Sequence, residues 1–163
     1  MRKKKRRSKS MLSIDVVGNE ELIRYLTRLK GKLENDTYLI TVTKPNTQII
    51  IPAKNKIYSE QFTAESFSQE QVRKLVRFIL DLLDLVQTEW DKDHKLIIHS
   101  YEKNGVARGI ADFIFHVFPE QDINQLYYNT FELSPDFDSQ AVKKTNDKLI
   151  ALKDYFLAFG LDI

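Results

Sequence analysis

The apolar positions of this chain change period along its length, and each change marks an element. Met11 to Val17 alternates weakly and predicts a short strand. Leu22, Ile23, Leu26 and Leu29 then recur at helical spacing, with Glu20 and Glu21 at the amino end, Lys30 and Lys32 at the carboxyl end, and Asn19 placed to cap. Gly31 falls at the stop. Thr37 to Thr43 (TYLITVT) is rich in β-branched and aromatic residues and predicts a strand, bounded by the turn residues Pro45-Asn46. Further β-rich runs follow at Gln48 to Ile51, closed by Pro52, and at Lys56 to Ser59.

Ser68 with Gln71 three residues on is a capping-box signature, and it precedes a long amphipathic stretch from Gln69 to Trp90. The stripe of Val72, Leu75, Val76, Ile79, Leu82, Leu83 and Val86 predicts a helix packed on a core. Lys95-Leu96-Ile97-Ile98 is a continuous apolar run of the kind a buried parallel strand needs. From Val106 the period becomes helical again through Ile110, Phe113, Ile114 and Val117, ending before Pro119. Gln121 to Phe131 predicts another helix, with Ile123, Leu126 and Tyr127 inward. Ser134-Pro135-Asp136 breaks it, and a last helix runs from Ala141 to Phe159. Early strands and late helices predict an α/β fold: a mostly parallel sheet of about four or five strands flanked by helices in three layers.

Composition narrows the function classes. At 163 residues, with 42% hydrophobic residues, ten Phe and seven Tyr, the chain suits one globular domain, expected over residues 11–163. It has no cysteine, which excludes disulfides, thiolate metal sites and a cysteine nucleophile. Its histidines, His94, His99 and His116, show no metal-pair spacing, and its five glycines form no nucleotide fingerprint, so neither a metal nor a cofactor is expected. No apolar run approaches membrane-spanning length and no secretory signal is visible, so a cytoplasmic protein is expected.

The net charge of +2 hides an asymmetry. Seven basic residues lie in the first nine positions, leaving 18 basic against 23 acidic residues in the remainder. Residues 1–10 are therefore expected to be a disordered tail. Such a tail suits attraction of residues 2–9 to nucleic acid or an anionic membrane surface; the plainer reading is a solubilising segment or a misassigned start upstream of Met11.

The candidate chemistry lies in Lys95 to Gly109 (KLIIHSYEKNGVARG), where a strand empties into a polar loop and then a helix. Unpaired N–H groups at a helix amino end attract phosphate or carboxylate, and Arg108 adds a bidentate fork. The plain alternative is an ordinary strand-to-helix connection with Arg108 on the surface.

His99-Ser100 followed by Gly105-Val106-Ala107-Arg108-Gly109 resembles the phosphate-binding loop of the cysteine-dependent tyrosine and dual-specificity phosphatases, in particular small bacterial members. Their motif is His-Cys, five residues, then Arg. Tyr38-Leu39-Ile40-Thr41 with Pro45, Ser68 to Phe78, Leu133-Ser134-Pro135 and Asn146 to Leu152 resemble other parts of the family, so the likeness spans most of Met11 to Phe159. It implies a phosphatase-like three-layer fold, phosphate bound by Gly105, Val106, Ala107, Arg108 and Gly109, a loop buttressed by His99, and Ser100 at the nucleophile position. Glu60, in Ser59-Glu60-Gln61, would hold the place of the leaving-group acid, with a solvated loop charge as the plainer reading.

The departures matter as much. Ser100 replaces a low-pKa thiolate, and an alkoxide is much harder to generate. Seven residues separate Ser100 from Arg108 where the motif has five. The resemblance thus implies a pseudophosphatase that binds phosphate or a phosphorylated partner. Two other readings stand beside it: a phosphoester hydrolase with Ser100 as an unusual nucleophile, and a purely structural or interaction domain.

Overall fold

A computed structural model describes residues 11–31, 33–43, 56–89, 92–100, 105–117, 125–130 and 139–158. In chain order these form β1 (Met11–Val17), α1 (Asn19–Arg28), β2 (Thr37–Thr43), β3 (Ile57–Gln61), α2 (Gln69–Thr88), β4 (Asp93–Ser100), α3 (Gly105–Val117), β5 (Gln125–Thr130) and α4 (Ser139–Ala158). The strands form one sheet in the order β3-β2-β4-β1-β5, and every pairing is parallel. The fold is therefore α/β with a parallel sheet and helices on both faces, as the periodicity predicts.

β4 is the central strand, and its sequence shows why. A strand covered on both faces needs apolar residues at consecutive positions. Leu96, Ile97 and Ile98 supply them, at 0%, 3% and 0% exposure. Leu96 and Ile98 join Leu12, Ile14, Val16, Ile40, Val42 and Tyr58 on one face, against α2, α3 and α4. Ile97 and Leu39 face the other way, against Leu22 of α1. The predicted stripe of α2 is buried at all seven of its positions. At roughly 1.5–3 kcal/mol per fully buried aliphatic side chain, that face anchors α2 far more strongly than its cap does. The cap is nevertheless complete: Gln71 N–H donates to Ser68 Oγ (3.0 Å) and Ser68 N–H to Gln71 Oε1 (2.9 Å).

The helices lie on the faces that parallel connections require. The chain leaves β1 through α1 toward β2 on one face, and returns from β3 through α2, then from β4 through α3, on the other. α4 packs on α3 at a glycine: a Cβ on Gly109 would lie 2.7 Å from both Thr145 Cβ and the Val142 carbonyl oxygen.

Three expectations are corrected. Gln125–Thr130 is a strand paired parallel to β1, not part of a helix over 121–131. The run QLYYNT has the aromatic and β-branched content of a strand, and the free edge of β1 decides between two periods that the sequence alone leaves balanced. Gly18, not Asn19, is the amino cap of α1, its N–H donating to Glu21 Oε1 at 3.1 Å. Ile23, read as part of the apolar face of α1, is 62% exposed. The basic tail, the Pro45-Asn46 turn, the run Gln48 to Ile51, loop residues 101–104 and the Ser134-Pro135-Asp136 break lie outside the described residues. Among the described residues, no helix is long and apolar enough to cross a membrane.

Candidate functional site

β1 and β4 are neighbours, yet the chain leaves them for opposite faces, into α1 and α3. The two departures diverge at the carboxyl ends of these strands, the place where open α/β sheets form a ligand-binding crevice. Gly18 and Asn19 follow β1 there, and Ser100 and the first turn of α3 follow from β4.

Ser100 is the last residue of β4 and is 1% exposed. It shares a rung with Val42, so its side chain points to the face covered by α2 and α3. There Oγ accepts the Ala107 N–H at 3.2 Å. That amide belongs to the first turn of α3, whose N–H groups have no partner within the helix. The strand thus caps the helix it feeds, and Ser100 Oγ sits at the positive end of the α3 dipole. The first turn of α3 holds Arg108 and no acidic residue.

The same turn shows what each predicted binding residue can offer. Val106 and Ala107 are 5% and 0% exposed and pack their side chains into the core. Gly105, Val106 and Ala107 therefore present backbone N–H groups only. Gly109 does not fit the predicted role: as the fifth residue of α3 it has its N–H inside the helix, and its missing side chain is explained by the close approach of α4. Its carbonyl oxygen accepts from Asn146 Nδ2 at 3.4 Å. Arg108 is half-buried and faces a counter-charge one turn on. Burial pushes the Asp112 carboxyl above the usual carboxylate range, and the positive charge of Arg108 pulls it partly back.

His99 alternates to the opposite face from Ser100. It is 2% exposed and bridges two elements: Nδ1 lies 2.8 Å from Thr41 Oγ1, and Nε2 lies 2.6 Å from Asn19 Oδ1. With Asn19 presenting its oxygen, Nε2 carries the proton and Nδ1 accepts from the Thr41 hydroxyl. Burial pushes the imidazole down to about 4, so it is neutral at physiological pH. His99 therefore ties β4 to β2 and to the amino end of α1. It holds the strand that ends in Ser100 and does not reach the hydroxyl as a base.

Glu60 also falls short of its predicted place. It stands on the same rung as Val42 and Ser100, with β2 between them, which puts its backbone about 9.5 Å from that of Ser100. Its Oε1 accepts Gln71 Nε2 at 3.0 Å, bracing the amino end of α2. The adjoining Tyr58 hydroxyl donates to the Gln71 carbonyl oxygen at 2.9 Å, and burial, reinforced by the Glu60 charge, pushes that phenol far up.

Sequence reasoning missed Asn19 and Thr41 as partners of His99, and no local signal marks them, because they lie 80 and 58 residues away. Asp112 was findable: Arg and Asp four apart on one helix face are neighbours. The first turn of α3 thus carries backbone N–H groups at its dipole end, Arg108 and the capping hydroxyl of Ser100, groups whose chemistry suits an oxyanion. No family model, curated protein or solved structure matches the chain, so the reading of this site rests on its own residues.

Proposed function

We propose that the crevice between β1 and β4 recognises a phosphate group, as inorganic phosphate or on a phosphorylated protein, without hydrolysing it. The observation that carries this reading is the position of Ser100 Oγ, 3.2 Å from the Ala107 amide at the dipole end of α3, whose first turn holds Arg108. The amides and Arg108 favour negative charge there. The resemblance of residues 99–109 to the loop of the cysteine-dependent phosphatases supports the same ligand.

Absence of turnover follows from the neighbours of the hydroxyl. A serine nucleophile needs a base within hydrogen-bond reach. His99 is on the other face with both nitrogens engaged, and Glu60 is engaged by Gln71 across β2. The alternative reading, with Ser100 as nucleophile, rests on its place beside the α3 amides, which would stabilise an alkoxide.

Thermal unfolding in the presence of phosphate or vanadate tests binding: a rise is expected in the wild type, and its loss in Arg108→Ala. No rise in the wild type, or the same rise in Arg108→Ala, leaves the structural reading in its place. An aryl-phosphate turnover above buffer that Ser100→Ala removes would establish the hydrolase instead.

A further inference from the structure

At the amino end of the sheet, three side chains from three elements converge. Asp36 stands in the turn before β2, Glu89 caps the carboxyl end of α2, and His94 is the second residue of β4. One ligand atom from each lies within 4.8 Å of the other two. Asp36 and Glu89 are half-buried, and the His94 side chain is fully buried, at 0% exposure.

The histidine is the informative member. His94 Nε2 lies 2.9 Å from Glu89 Oε1, while Nδ1, equally buried, has no hydrogen-bond partner among the described residues. Nε2 is thus the ring atom presented to the Glu89 carboxylate. The two carboxylates meet the ring at the negative end of the α2 dipole, and the last turn of α2 carries no basic residue. The two carboxylates and the carboxyl end of α2 favour a cation at this corner.

We propose that Asp36, Glu89 and His94 form a site for one divalent transition-metal ion, with Zn2+ the best match. One imidazole and two carboxylates, with solvent in the remaining position, is a donor set that Zn2+ accepts. Mg2+ and Ca2+ want six or more oxygen ligands and find too few here. Tetrahedral Zn2+ places its ligands about 3.3 Å apart, so the three side chains close on the ion with small rotations. The ion joins the end of α2 to the starts of β2 and β4. Ser100 lies six residue steps along β4 from His94, about 20 Å of strand, so the ion takes no part in anion binding and the two proposals stand independently.

The test is titration of untagged, metal-free protein with Zn2+ at pH 7.5, followed by calorimetry and thermal unfolding. One ion per chain is expected, with an unfolding midpoint raised by about 5–10 °C at a hundredfold excess over Kd. Mg2+ should leave the midpoint unchanged. Asp36→Asn and Glu89→Gln should each weaken binding by about tenfold or more. Both variants keep size and hydrogen bonding, and Asn suits the left-handed backbone of Asp36 (φ 63°). His116→Gln, on the exposed side of α3, should bind as the wild type does. No saturable binding, undiminished binding in both carboxylate variants, or loss of binding in His116→Gln overturns the proposal.

Discussion

Ser100 and His99 are adjacent in sequence and face opposite ways, and that alternation divides their work. Ser100 meets the α3 amides, while His99 is sealed between Thr41 and Asn19. The sealed imidazole makes stability depend on pH. An unfolded histidine takes up its proton near 6.5, and His99 in the fold does so only near 4. Between those values the unfolded chain binds more protons, so stability is fully present above pH 6.5 and falls as the pH drops toward 4. The shift corresponds to about 3 kcal/mol. Urea unfolding at pH 7.5 and pH 5 should show the loss in the wild type, and a smaller pH dependence in His99→Gln. An equal dependence in both would remove His99 as its source. The second residue-scale expectation concerns Arg108, whose charge acts on Asp112 one turn on. Asp112→Asn removes that competitor and should tighten phosphate binding by about two- to fivefold, read as a lower Kd; weaker binding would contradict the placement of Arg108.

α3 is the element on which the site is built, and its packing on α4 fixes it. Gly109→Ala tests this. In an exposed helix the change would stabilise by about 1 kcal/mol through helix propensity. Here the new Cβ would lie 2.7 Å from Thr145 Cβ and the Val142 carbonyl oxygen, a backbone atom that cannot rotate away. A loss of about 1–3 kcal/mol is expected instead, measured by denaturant unfolding, and a gain would show that the helices are not so close. α2, β4 and α3 were legible in the sequence because their signals are local: a capping box and stripe, a short apolar run, and a change of period. β5 was not, because QLYYNT fits either period and the choice is made by the edge of β1. The site was legible only in part. The turn proposed to bind an anion reads from Ser100 and Arg108, but the partners of His99 and the grouping of Asp36, Glu89 and His94 exist only once β1, β2, β4 and α2 are side by side. Gly109 was misread for a related reason, since a packing glycine and a ligand-binding glycine look the same without the neighbouring helix.

At the scale of the molecule, the two ends of one parallel sheet carry different chemistry. The carboxyl end gathers amide hydrogens and Arg108 at the crevice between β1 and β4, and the amino end gathers two carboxylates and a buried imidazole. The topology places the first where the departing connections diverge, and among the described residues Ser100 has a capping bond to Ala107 while His99 is turned to the other face. Phosphorus NMR of an aryl phosphate incubated with the protein tests recognition of phosphate and the lack of its hydrolysis at once. The predicted result is a substrate resonance that shifts and broadens saturably with the wild type but not with Arg108→Ala, while inorganic phosphate grows no faster than in buffer. An unperturbed resonance with the wild type, or inorganic phosphate released by the wild type and not by Ser100→Ala, would contradict it.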